Sequence, residues 1–176
     1  MNRIERVETD HQDSILCIHF IDKYVVTGSK DASINVYTLD GRKVRTLRGH
    51  EAAICILASI KSPSGEILAS GSDQGCGSMI LWDTRSWQIL TKIKAHEAAV
   101  TTIVDLDDGK HIATGSYDKT IKIFSMARSQ KLLSLSNRAS VTVMGMTTDR
   151  SRLVAAGLDK SVSVWVINRK NGVFIQ

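Results

Sequence analysis

Long apolar runs are missing from this chain. No stretch of about 18 residues is free of charge and apolar throughout, which excludes a membrane-spanning helix. Residues 1–10 carry charges along their length and have no apolar centre, so they do not read as a secretory signal. Proline occurs once and aromatic residues make up only 5% of the chain, which excludes Pro-rich docking segments. Cysteine is sparse and odd in number: Cys17, Cys55 and Cys76 show no C-x-x-C spacing and support neither a disulfide framework nor a zinc site. His19 and His111 fall in or beside strand-like segments without metal-ligand spacing to those cysteines. The expectation is a reduced intracellular protein, cytoplasmic or nuclear, that holds no metal and no cofactor.

What is present is ordinary globular material, 43% hydrophobic and 23% charged. The formal net charge is +5. A mild basic excess keeps a protein soluble and, in a sharper reading, suits an acidic partner, whether protein, nucleic acid or lipid headgroup. The basic residues are scattered. The densest stretch, Arg42, Lys43, Arg45 and Arg48, has no interleaved aromatics of the kind that bind nucleic acid.

Self-similarity carries the fold argument. Four segments align from His11, His50, His96 and Asn137, at spacings of 39, 46 and 41 residues. A four-stranded propeller blade takes about 40–45 residues. Within each period the alternation is of period 2, as in residues 33–37, 119–124 and 161–165, and the runs are short and β-branched. Turn residues separate them at 39–41, 62–65 and 107–110. A plain β-sandwich also spaces short strands evenly, but it has no reason to hold one order and one distance. Here the eight-residue step from Ser29 to Tyr37 recurs from Ser116 to Phe124 and from Gly157 to Trp165.

With the dipeptide Trp82-Asp83, the pair Gly49-His50 and the matching His11 and His96, the chain resembles the WD-repeat family over essentially its whole length. The resemblance implies an all-β propeller of four-stranded antiparallel blades. Four blades are expected, at residues 10–48, 49–94, 95–136 and 137–176, with residues 1–9 as the outer strand of a preceding or partner blade. It also implies, in each blade, a hydrogen-bonded tetrad of a histidine, a Ser or Thr on the second strand, an Asp in the following turn and an aromatic on the third strand. Carried over, blade 1 uses His11, Ser29, Asp31 and Tyr37. Blade 2 uses His50, Ser72 and Trp82, and its turn is two residues too long for Asp73 to join. Blade 3 uses His96, Ser116, Asp118 and Phe124, which has no donor. Blade 4 keeps Asp159 and Trp165 but has Asn137 and Gly157 in place of the histidine and serine. Such a network satisfies every polar group that a tight turn buries.

The recurring His, Ser and Asp look like a catalytic triad, yet recurrence suits blade stabilisation and a single active site does not need it. Residues 71–77 lack the Gly-Lys-Ser/Thr ending of a phosphate loop and lie between strands, so they read as an extended turn that leaves Cys76 open to oxidation. No enzyme is expected. Four blades fill little more than half of a seven-bladed ring, so either the ring is incomplete or the chain is half of an eight-bladed dimer, with two bare apolar end faces. Residues 172–176 are expected to form the outer strand of blade 4. The expected function is a non-catalytic scaffold that binds other proteins within a larger assembly. The residue before each turn Asp is the exposed one in the family's binding face, which nominates Lys30, Tyr117 and Leu158. The alternative is association with RNA or ribonucleoprotein through the basic surface.

Overall fold

In the computed structural model, which describes residues 9–73, 75–168 and 173–175, the chain is an all-β propeller segment of four antiparallel sheets. Blade 1 comprises β1 (Ile15–Ile21), β2 (Tyr24–Ser29), β3 (Ser33–Thr38) and β4 (Lys43–Arg48). Blade 2 comprises β5 (Ile54–Ser62), β6 (Gly65–Ser72), β7 (Ser78–Asp83) and β8 (Ile89–Lys94). Blade 3 comprises β9 (Val100–Asp105), β10 (His111–Ser116), β11 (Thr120–Ser125) and β12 (Gln130–Ser136). Blade 4 comprises β13 (Val141–Met146), β14 (Arg152–Gly157), β15 (Val162–Asn168) and β16 (Val173–Ile175). The sheet order follows the sequence order, so every connection within a blade is a hairpin. Residues 1–8, read above as an outer strand, lie outside the described residues.

The first strands β1, β5, β9 and β13 lie side by side and line the inside of the arc. Each begins with a break in the ladder: the register slips between Ile15 and Cys17, between Ile54 and Ile56, opposite Gly115 and Ser116, and between Val141 and Val143. An inserted residue of this kind leaves the ladder and turns its side chain elsewhere.

Strand alternation sends successive side chains to two different cores. In β7, Ile80 and Trp82 join Ile34 and Val36 of blade 1, whereas Met79 and Leu81 join Val100, Ile103 and Phe124 of blade 3. The third core sets Ile121 and Ile123 of blade 3 against Val141, Met144, Leu153 and Trp165 of blade 4. Each blade thus has a front, toward the preceding blade, and a back, toward the next. Full burial of each such aliphatic side chain contributes about 1.5–3 kcal/mol. Glycine keeps the seams tight. A Cβ on Gly28, Gly71 or Gly115 would lie 2.6–2.8 Å from side-chain atoms of Ile54, Val100 or Val141. Among the described residues no core joins blade 4 to blade 1. Ile18 and Phe20 on one end and Val162, Val164 and Val166 on the other stand exposed. The arc is open.

Candidate functional site

Each of the blade-entry histidines His11, His50 and His96 sits at a blade front, and its ring reaches deeper into the sheet than the sequence pattern implies. His11 Nε2 lies 2.8 Å from Thr27 Oγ1, and His96 Nε2 lies 2.8 Å from Thr114 Oγ1. His50 Nε2 lies 2.7 Å from Ser70 Oγ. The hydroxyl partners are therefore Thr27, Ser70 and Thr114, two residues before the expected Ser29, Ser72 and Ser116. The expected serines are occupied by the turn itself. Ser29 and Ser116 accept from the N–H of Asp31 and Asp118 at 3.1 and 3.0 Å, and Ser72 accepts from Ser78 N–H at 3.0 Å. Residues i and i+2 of a strand share a face, so either serine or threonine fits the pattern, and only the depth of the ring decides.

The turn aspartates close the other side. His96 Nδ1–H donates to Asp118 Oδ2 at 2.9 Å, and His11 Nδ1–H donates to Asp31 Oδ2 at 3.2 Å. Burial pulls both carboxyls up, but hydrogen bonds outweigh it. Ser33 Oγ, with the N–H groups of Gln12 and Ser33, takes Asp31 far below the ordinary range, and Thr120 Oγ and His96 lower Asp118. Blade 2 has no turn Asp in this network: Ser78 Oγ takes its place at 2.9 Å from His50 Nδ1. That blade alone among the described tetrads ends in an indole bond, Trp82 Nε1–H donating to Ser70 Oγ at 2.8 Å. Tyr37 directs a buried hydroxyl with no partner, and Phe124 has none to offer. In blade 4 Asn137 Oδ1 accepts from Ser163 Oγ at 2.9 Å, while Asp159 accepts from Ser161 at the turn. Trp165 is buried against blade 3 beside Ala155, which has no hydroxyl.

These groups are consumed by one another. Burial, then the charge of Lys92, pushes His50 down to about 4, and burial first also lowers His96. A histidine held neutral in the fold binds its proton more readily when unfolded. His50 therefore contributes stability that is fully present above pH 6.5 and is lost as pH falls toward 4. The expected loss at pH 4 is on the order of 3 kcal/mol from this group. Thermal melts between pH 7 and pH 4 check it, and His50→Gln is expected to flatten that part of the profile. An unchanged slope in the variant would refute it.

The exposed ends of the second strands form a repeated position. The N–H groups of Lys30, Asp73, Tyr117 and Leu158 donate to the carbonyls of Ser14, Ala53, Ala99 and Ser140 at 2.9, 2.9, 3.3 and 3.1 Å. Asp73 is thus the blade 2 equivalent of Lys30, Tyr117 and Leu158, a role the sequence reading did not give it. Tyr117 and Leu158 are brought together: Ser140 Oγ donates to Tyr117 O at 2.9 Å, and Ser140 O accepts from Leu158 N–H. Lys30 is a full blade away from that pair and forms its own exposed pair with Asp13 at 3.9 Å. Beside Tyr117 opens a cavity of about 450 Å³ lined by Cys55, Asp73, Ala99, Thr101, Tyr117 and Thr142. Burial raises the Cys55 thiol to about 11, so it is a poor nucleophile there. Among the described residues no group of three or more His, Cys, Asp or Glu is placed to hold a metal.

A family model described as "WD domain, G-beta repeat" matches residues 3–38, 41–83 and 87–125. The chain belongs to the WD-repeat family. Two of these segments run from an outer strand, β4 or β8, through the first three strands of the next blade, and the fourth blade, with Asn137 and Ala155 at the histidine and hydroxyl positions of the tetrad, lies beyond them. The chain is 25% identical to a ribosome biogenesis protein WDR12 homologue from Drosophila persimilis, over 88% of its own length and 42% of the relative's. It is 27% identical to a p21-activated protein kinase-interacting protein 1-like protein of Gallus gallus, over 85% of this chain and 40% of that one. The chain therefore spans about two-fifths of the length of these relatives. Among solved structures, the RRP9 WD40 repeats match with TM-score 0.79 and 24% identity, covering 97% of this chain and 52% of theirs. The computationally designed Ika4 protein matches with TM-score 0.79 and 26% identity, covering 96% of this chain and all of its own.

Proposed function

We propose that the chain is a non-catalytic scaffold whose blade 3 and blade 4 turns hold an acidic segment of a protein partner. The observation that carries this is the joined, exposed pair Tyr117 and Leu158, set beside the 450 Å³ cavity and flanked by exposed Lys119, Arg138 and Lys160. An aromatic and an aliphatic anchor beside three exposed cations, which outnumber the one exposed carboxylate of the same turns, Asp159, is the composition of a binding hot spot for an acidic, partly apolar peptide. Family membership supports the scaffold reading, and the names of relatives, one in ribosome biogenesis and one that interacts with a kinase, support service in a multiprotein assembly with a nuclear or nucleolar setting. The double variant Tyr117→Ala, Leu158→Ala removes exposed side chains and is expected to keep its melting temperature while partner binding weakens at least tenfold. Quantitative co-purification with wild type and variant reads this, and equal recovery of the same partners would remove the site.

RNA is the second reading, favoured by the basic excess. Several of the cations are already paired, Lys43 with Asp10, Lys92 with Glu51 and Lys94 with Glu97, which weakens the field they project. RNA binding would show a steep loss of affinity with salt.

A further inference from the structure

The outer strands β4, β8 and β12 each pair on one edge only, with the third strand of their own blade. The other edge carries backbone N–H and C=O groups that a further strand could meet. All three strands share one device. Each is bulged near its start, and the inserted residue is apolar and exposed: Val44, Leu90 and Leu132. A bulge closes that end of an edge to pairing. The straight part left on β4 is residues 45–48.

Charge sets this part of β4 apart. Register makes Arg45 the counterpart of Thr91 in β8 and of Leu133 in β12. Leu133 packs on the core between blades 3 and 4, so blade 1 places a cation at the outer end of a seam that blade 3 closes with an apolar side chain. The Arg45 guanidinium reaches the turn after β7 and donates to Ser86 O at 3.1 Å. Arg48 is the counterpart of Lys94, which pairs with Glu97, three residues on, at 2.7 Å. The residue three on from Arg48 is Glu51, but Lys92 holds it at 2.7 Å. Among the described residues Arg45 and Arg48 therefore have no carboxylate partner. Asp83, in the turn that Arg45 reaches, accepts from Arg85 N–H and Ser86 Oγ of that same turn.

A groove of about 350 Å³ lies here, lined by residues 45–48 and by Trp82, Trp87, Gln88 and Ile89 of blade 2. Successive side chains of a strand point to opposite faces, so a groove touched by four residues in a row follows the edge of β4 and not one of its faces. The two indoles are 2% and 7% exposed and offer no open ring for a nucleic-acid base to stack on. Gln88 and Ile89 are exposed at the rim, one polar and one apolar.

We infer that the free edge of β4 takes up an extended acidic segment of a partner protein as a fifth strand of blade 1. Backbone bonds to residues 45–48 hold the segment. Carboxylates three positions apart in it point to opposite faces, one meeting Arg45 and the other Arg48. Cations that keep two like edges apart draw in an edge of opposite charge. The edge lies on blades 1 and 2 and uses neither Tyr117 nor Leu158.

Fluorescence anisotropy with the labelled peptide Val-Glu-Val-Thr-Glu-Val is expected to show saturable binding to the 176-residue chain. The same peptide with Lys for both Glu is expected not to bind. A peptide with Pro for Thr lacks a ladder donor and is expected to bind about tenfold more weakly. Arg45→Glu and Arg48→Glu change exposed side chains, so each is expected to keep its Tm and to lower affinity about tenfold. Lys131→Glu, which alters an exposed cation on β12, and the double variant Tyr117→Ala, Leu158→Ala are expected to bind as wild type does. Loss of binding in that double variant would overturn an independent edge site. So would absence of binding at millimolar peptide, equal binding of the Lys or Pro peptide, or affinity unmoved by Arg45→Glu and Arg48→Glu. Displacement of the peptide by a lower concentration of single-stranded RNA would overturn the choice of partner.

Discussion

Gly77→Ala is expected to destabilise the chain by about 3–5 kcal/mol, the sum of a left-handed backbone held by a residue with a Cβ and of overpacking. Gly77 has φ of +52°, its carbonyl accepts from Ala95 and His96 N–H at 3.0 Å each, and a Cβ would press on the carbonyl oxygens of His96 and Ala98, the second at 2.8 Å. Backbone cannot rotate away as a side chain can. The turn between β6 and β7 is therefore bolted to the entry of blade 3, and the methyl would part blade 2 from blade 3. Gly75, with φ of +92° and nothing within 4 Å of its would-be Cβ, is the internal control. Gly75→Ala should cost only about 1 kcal/mol. Urea unfolding of both variants separates strain from collision, and equal losses would show that the turn does not press on blade 3. For a chain of this length the Gly77→Ala loss corresponds to a fall in Tm of roughly 10 °C.

Ser70→Ala is expected to cost about 2–4 kcal/mol, more than twice the cost of Thr114→Ala. One hydroxyl serves two buried rings: it bonds His50 Nε2 at 2.7 Å and accepts from Trp82 Nε1–H at 2.8 Å. Its loss strands both polar atoms where water does not reach, and each stranded group costs about 1–3 kcal/mol. Thr114 serves one ring, that of His96, because Phe124 offers no donor, and its long bond to Lys122 O at 3.4 Å matches that of Ser70 to Ile80 O at 3.4 Å. Chemical unfolding of the two variants, with Trp82→Phe as a third, checks the difference. Equal losses from Ser70→Ala and Thr114→Ala would show that the indole bond adds nothing.

Much of this architecture was legible in the chain. Alternation in residues 33–37 and 161–165 placed β3 and β15, although in β3 the polar Ser33 and Asn35 are buried beside the apolar residues and in β15 Val162 and Val164 stand exposed, and the turn signals at 62–65 and 107–110 fall between paired strands. The bare end faces followed from counting blades. Three things were not legible. The hydroxyl partner of each histidine was misplaced by two residues, since Thr27 and Ser29 share a face and spacing cannot say how far an imidazole reaches into a sheet. The role of Asp73 was hidden by the longer turn of blade 2, which moved the apparent turn aspartate onto the half-buried position equivalent to Lys30 and Tyr117. The joining of Tyr117 to Leu158 depends on Ser140, a residue with no signature, and needed the packing of one blade on the next.

The break in register at the start of each first strand has a consequence for how such a chain can diversify. Because the inserted residue is outside the ladder, its side chain is free of the alternation that governs its neighbours. Cys55, Thr101 and Thr142, from three different blades, converge on a single cavity for this reason. The lining of the throat is thereby tied to the walls by side chains and not by the ladder: Thr101 Oγ donates to Gly115 O at 3.1 Å and to Val141 O of the next blade at 2.8 Å, and Thr142 Oγ donates to Ala156 O at 3.1 Å. A change at Thr101 would alter the opening and also unfasten blade 3 from blade 4, so the shape of the opening and the rigidity of its frame are set together at that position.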